Sequence, residues 1–188
     1  MAQLLSVKWS PEQRIVWPTE KIMDVQVEFT TSEFITAVID DVRGRVRIDP
    51  QRIILMGASS SGGAVMTAAL TNSDVSGALL TGSVFREHQL PPMRGAAAKR
   101  FFLVQGVSDD ITPFHYAQTA AQTLSRHGAD VRLYAMPSGH HPRWPNNFRG
   151  VYGYAFHWLQ GDHNSNIERR HPPQAAQDPK LPRRFRRH

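Results

Sequence analysis

The 188-residue chain is long enough for one domain with a real core, and its 40% hydrophobic and 20% charged content is ordinary for a globular protein. It holds no cysteine, which excludes disulfides and thiolate metal sites, and no apolar run approaches the roughly 20 residues that cross a bilayer. The net charge of +6 does not by itself point to nucleic acid, because residues 161–188 hold seven Lys or Arg against three Asp or Glu and leave about +2 for the rest.

Residues 1–28 carry the weakest signals. Val25–Phe29 alternates like an edge strand, Trp9 and Trp17 suggest packing or a pocket wall, and the start lacks a secretory apolar segment, so a cytoplasmic location is expected. Thr30 with Glu33 forms a capping box. The helix behind it, Ser32–Arg45, places Phe34, Ile35, Val38, Ile39 and Val42 at helical spacing. Ile48-Asp49-Pro50 leads to a strand at Arg52–Met56, a turn of small residues, and an Ala-rich helix over Gly62–Thr71.

A second strand at Gly77–Leu80 is followed by an irregular stretch, Ser83–Lys99, and a third strand at Phe101–Val104. Thr112 as N-cap with Pro113 behind it starts a helix that ends at His127-Gly128. Val131–Ala135 is the fourth strand, and a last helix covers Asn147–Gln160. Strands alternating with helices predict an α/β fold with a mostly parallel sheet over residues 1–160. Residues 161–188, rich in Pro, Gln and charge, read as a dispensable, disordered basic tail, with weak polyanion or partner binding as its other use.

Three polar clusters fall just after strands, where open parallel sheets build their sites. They hold Ser59-Ser60-Ser61, Asp109 and His140, in the order Ser, Asp, His. A serine hydroxyl needs a histidine to take its proton, and the histidine needs a carboxylate to fix its tautomer. Ser60 is the predicted nucleophile, because Ala58 and Gly62 then occupy the two crowded positions of the turn, whereas a nucleophile at Ser59 puts the bulk of Ser61 there. The Ser61 N–H is then the oxyanion donor at the helix start. Asp109 is the acid, with Asp110 in reserve. His140 is the base, with His141 able to replace it. The plainer alternatives are serines that cap a helix, a solvated aspartate and a surface histidine.

These residues resemble the α/β-hydrolases of the carboxylesterase, phospholipase-like and dienelactone-hydrolase group, and are similar to esterases of the polyhydroxybutyrate-depolymerase type. The resemblance runs from Phe34 to Leu159. It rests on Ile48-Asp49-Pro50-Gln51-Arg52-Ile53, the serine turn, Asp109 with Pro113, and Gly128-Ala129 ahead of Gly139-His140. It implies hydrolysis of carboxylic esters or thioesters through an acyl-enzyme, with no cofactor, and a small-molecule ester as the partner.

The sequence departs from that group in one respect. Only about fifty residues precede the strand before the serine turn, and no His-Gly-Gly loop for a second oxyanion donor stands among them. The expectation is a hydrolase shortened at its amino end, a chain that pairs its exposed sheet edge with a second copy, or an incomplete gene product. Losing one oxyanion donor costs on the order of 10²–10³ in rate. Competing readings are a degenerate hydrolase fold with a binding role and a serine peptidase of the prolyl-oligopeptidase type. A phosphate-cradling loop at Gly57–Gly63 lacks the Gly-Lys-Ser/Thr that chemistry uses. His115, His140, His141 and His157 lack a tight metal-ligand spacing. Neither a membrane nor nucleic acid is an expected partner.

Overall fold

The computed structural model describes residues 11–12, 14–23, 27–140 and 148–162. Four parallel strands, β1 (Ile53–Ala58), β2 (Val75–Thr81), β3 (Arg100–Gly106) and β4 (Asp130–Met136), lie side by side in chain order. Four helices flank them: α1 (Thr31–Arg45), α2 (Gly62–Thr71), α3 (Phe114–Arg126) and α4 (Phe148–Leu159). Each strand is one to three residues longer than its sequence pattern indicated, because residues flanking the apolar runs, among them Ala58, Thr81, Gln105 and Asp130, still pair across the sheet, while Arg52 lies in the turn before β1. The tail from residue 163, residues 25–26 of the Val25–Phe29 pattern, Trp9 and His141 lie outside the described residues, and residues 27–29 form no strand.

The strands are apolar on both faces, as strands between two helical layers must be. On one face Ile53, Leu55, Ala78, Leu80, Phe101, Leu103 and Leu133 pack against α1, α2 and α3. On the other, Leu79, Phe102 and Val104 meet α4 through Tyr154, Ala155, Trp158 and Leu159. Phe102 makes edge-to-face contacts with Tyr154 and Trp158, at centroid distances of 5.7 and 5.8 Å. Burial of such a ring contributes about 1.5–3 kcal/mol, so the β3–α4 contact anchors the second layer. β1 and β4 end the described sheet, and Met56 on β1 is 47% exposed.

Local signals set the helix ends. The Thr30–Glu33 capping box forms in both directions: the Glu33 N–H donates to Thr30 Oγ1 at 3.2 Å and the Thr30 N–H to Glu33 Oε2 at 2.6 Å. The Ala-rich α2 lies close to the sheet, with Ala68 and Ala69 fully buried. At α3 the cap differs from expectation. Pro113 is the N-cap, and Thr112, one residue earlier, turns its hydroxyl toward Asp109 and His140 instead. The turns at the carboxyl ends of β1, β3 and β4 therefore open on the same edge of the sheet.

Candidate active site

β1 ends in Gly57-Ala58 and runs into a tight turn, Ser59-Ser60-Ser61, before α2 begins. Gly57 is required there: a Cβ would stand 2.8 Å from Val65 Cγ2 on α2. Ser59 takes a left-handed conformation, with φ of +49°. A non-glycine residue there costs about 1–3 kcal/mol and persists only when its surroundings enforce it. Ser61 enforces part of it. Its Oγ accepts from the Ala58 N–H and donates to the Ala58 carbonyl, both at 2.9 Å. Ser59 Oγ is thereby aimed at His140 Nε2, 3.0 Å away.

The expectation for the turn is corrected here. Ser59, not Ser60, meets the histidine, and Ser60 is exposed. Ser61 does not crowd the fifth position, because its hydroxyl folds back on Ala58. The steric limit lies at the first position, where Gly57 faces Val65. With Ser59 at the tip, the N–H next to the hydroxyl belongs to Ser60, so Ser61 is no longer the residue placed to be an oxyanion donor. The helix start leaves such first-turn N–H groups without an intrahelical acceptor.

Asp109 and His140 converge as the strand order requires. The loop after β3 is stitched to the loop after β4: the Val107 N–H donates to the Met136 carbonyl at 2.8 Å and the Ser108 N–H to the Ser138 carbonyl at 3.1 Å. Gly106 permits this close approach, since a Cβ would fall on the carbonyl oxygens of Ser138 and Gly139. His140 Nδ1 then lies 2.9 Å from Asp109 Oδ2, with side chains 7% and 1% exposed. Asp110, the reserve acid, is exposed.

Two polar residues surround that carboxylate. Gln105 Nε2 donates to Asp109 Oδ2 at 2.7 Å and to the Thr112 carbonyl at 2.6 Å. Thr112 gives its hydroxyl to Oδ2 at 2.6 Å and its N–H to Oδ1 at 2.7 Å, and the Ile111 N–H reaches Oδ1 at 3.0 Å. Burial pushes the Asp109 carboxyl up, but the Thr112, His140 and Ile111 hydrogen bonds outweigh it and hold it below the ordinary aspartate value. Gln105 went unnoticed in the sequence. Its signal was an amide inside an apolar strand, a group that must find a partner when buried.

This arrangement sits on a recognisable scaffold. The structure resembles the carboxylesterase of Mesorhizobium loti, at TM-score 0.55 and 22% identity over 70% of this chain and 60% of that one. It resembles Arabidopsis thaliana SOBER1 at 0.56 and 18%, covering 71% and 63%. It also resembles the acylaminoacyl peptidase of Pyrococcus horikoshii at 0.61 and 11%, covering 77% and 30%. The chain has the α/β-hydrolase fold.

It spans about three fifths of the length of the first two α/β-hydrolase structures and under a third of the last. No protein-family model and no curated protein matches the sequence.

A cleft of about 330 Å³ opens beside Ser59. Its apolar wall includes Trp17, Ile22, Ala64, Val84, Leu90 and Ile111. The segment from Trp17 to Ile22 forms one side, held by the Thr31 N–H on the Pro18 carbonyl at 2.7 Å and by Lys21 Nζ on the Leu90 carbonyl at 2.7 Å. Of the other histidines, His115 stacks on Tyr116 and His157 pairs with Asp162 at 3.1 Å. Among the described residues no three His, Asp or Glu side chains converge as a metal-ligand set, and no helix is long and apolar enough to cross a membrane.

Proposed function

We propose that this chain is a serine hydrolase of carboxylic esters, with Ser59 as nucleophile, His140 as general base and acid, and Asp109 as the orienting carboxylate. The observation that carries the reading is the unbroken line from Ser59 Oγ to His140 Nε2, 3.0 Å, and from His140 Nδ1 to Asp109 Oδ2, 2.9 Å. An ionised Asp109 accepts the Nδ1–H, which leaves Nε2 as the acceptor of the Ser59 proton.

In the reaction, Ser59 Oγ bonds to the ester carbonyl carbon while its proton passes to His140 Nε2. The carbonyl oxygen becomes an oxyanion against the Ser60 N–H. The carbon–oxygen bond to the alcohol then breaks, and His140 protonates the leaving oxygen. Water attacks the acyl group on Ser59, gives its proton to His140, and the acid departs with the Ser59 hydroxyl restored.

Fluorophosphonate labelling together with turnover of 4-nitrophenyl butyrate tests this reading. Labelling of the folded chain that disappears in Ser59→Ala supports it. A folded chain that neither labels nor turns over the ester overturns it in favour of a non-catalytic binding role. Cleavage of blocked peptides but not of esters would favour a peptidase.

A further inference from the structure

The cleft beside Ser59 combines its apolar wall with the hydroxyl residues Thr19, Ser59, Ser60, Thr67 and Thr112, and Arg86 and Gln89 join the lining. Arg86 is the single Lys, Arg, Asp or Glu among the lining residues. Some arginines of the fold are paired with carboxylates, Arg43 at 2.6 Å from Asp74 and Arg45 at 2.7 Å from Asp41. Arg86 has no carboxylate partner among the described residues. Among the described residues the cleft lining thus carries an uncompensated positive charge and no negative one, and the start of α2 beside it adds the positive end of a helix.

The backbone of Arg86 is held firmly. Phe85 before it and Leu90 after it are each 5% exposed, so both anchor the loop in the core. Between them a short turn closes with the Gln89 N–H on the Arg86 carbonyl at 2.9 Å. Lys21 Nζ clasps the loop from the other side of the cleft, through the His88 and Leu90 carbonyls. An exposed guanidinium on a loop with a pinned backbone, lining the same cleft as a nucleophile, offers a donor fork to a planar anion.

We propose that Arg86 is the anion-binding corner of the substrate cleft, and that the preferred substrates are esters carrying a carboxylate separated from the scissile bond by a short hydrocarbon. This rests on the ester-hydrolase reading. The apolar wall supplies the hydrocarbon site, Ser59 the carbonyl site and Arg86 the charge. A carboxylate suits the corner better than a phosphate, because one guanidinium neutralises a single charge and matches a carboxylate with two parallel hydrogen bonds.

The test compares kcat/KM for mono-4-nitrophenyl glutarate with 4-nitrophenyl butyrate, the carboxylate then lying on the acyl side, and for carboxymethyl butyrate with ethyl butyrate, the carboxylate lying on the alcohol side. The expected result is a preference of about tenfold for the anionic member of one pair. This lies between the worth of an exposed ion pair, up to about fivefold, and that of a hydrogen bond to a charged group, upward of about tenfold. In Arg86→Gln the ratio falls about tenfold, and in the wild-type protein it shrinks as salt is raised toward 1 M. A misfolded variant lowers both members of a pair together and leaves the ratio intact. Equal rates within both pairs, or a ratio unchanged by Arg86→Gln, overturn the proposal while leaving ester hydrolysis standing. Should no ester be turned over, the hydrolase reading fails, and binding decides the subsite. Glutarate then raises the melting temperature of the wild-type protein but not of Arg86→Gln, and no shift in either overturns it.

Discussion

Ser59 Oγ stands 3.0 Å from His140 Nε2 although 81 residues separate the two in the chain. Four parallel strands close that gap, since β1 delivers the serine and β4 the histidine to the same edge of the sheet, with β2 and β3 between them. The first prediction follows from which serine the turn selects. Ser59→Ala should lower ester turnover by at least about 10⁴-fold and abolish fluorophosphonate labelling. Ser60→Ala keeps its backbone N–H and should still label. Mass spectrometry of the labelled peptide locates the adduct, and an adduct on Ser60 would refute the assignment.

The second prediction concerns Asp109 and acid. Its folded-state carboxyl titrates below the ordinary aspartate value, held there against burial chiefly by Thr112. A depressed value means that the ionised carboxylate stabilises the fold at neutral pH. That contribution is lost as pH falls from about 4, the unfolded value, through the lower folded one. Asp109→Asn should remove this part of the acid sensitivity and, by spoiling the tautomer of His140, lower kcat by about 10³–10⁴. Urea midpoints at pH 7 and near pH 3 check the first effect and steady-state kinetics the second.

Thr112→Val isolates the hydroxyl. The valine keeps the shape and the backbone N–H but loses the 2.6 Å bond to Oδ2. The Asp109 carboxyl should then rise toward its unfolded value, which narrows the gap between the two states and flattens the acid dependence of the urea midpoint. Stability at pH 7 should drop by about 1–3 kcal/mol, the scale of a lost bond to a buried charge. An acid dependence as steep as in the wild-type protein would assign the depression to other donors.

Much of this geometry was legible beforehand, for a physical reason. Ile53–Met56 and Phe101–Val104 are apolar runs that only a doubly covered sheet can use, Val131–Ala135 is broken only by Arg132, and the polar residues that follow the three must share one edge. The register of the serine turn was not legible from the bulk of Ser61, because a hydroxyl can satisfy itself on Ala58 and vanish from the steric account. Gly57, pressed on Val65, held the better signal. Thr112 was misplaced because a threonine before a proline is an ordinary cap. Only the fold shows that a carboxylate and an imidazole compete for its hydroxyl.

Gly57 supplies a test of packing rather than of charge. Gly57→Ala sets a methyl 2.8 Å from Val65 Cγ2 and 3.3 Å from Ser61 Oγ, so β1 and α2 must part. The expected cost is about 1–3 kcal/mol, with loss of turnover because Ser59 moves with the turn. Val65→Ala opens the space, so the double variant should be more stable than the sum of the single changes allows. Denaturant unfolding of the four proteins gives the coupling. Strict additivity would show that the clash is relieved elsewhere.

Lys21 ties the two walls of the cleft together, and its removal should separate binding from chemistry. Its Nζ donates to the Leu90 carbonyl at 2.7 Å and the His88 carbonyl at 3.2 Å, across 69 and 67 residues of chain. Both bonds run from a charged donor to the loop that carries Arg86, while the segment around Lys21 contributes Trp17 and Ile22 to the opposite wall. Lys21→Met keeps the length of the side chain and removes the donors. At a partly exposed site the loss should be about 1 kcal/mol in stability. The cleft should widen, so KM for short esters rises severalfold, while kcat changes less because the Ser59–His140–Asp109 line does not touch Lys21. Steady-state kinetics on 4-nitrophenyl butyrate read the split. A fall in kcat at constant KM would mean that the clasp positions the serine turn instead of the cleft wall.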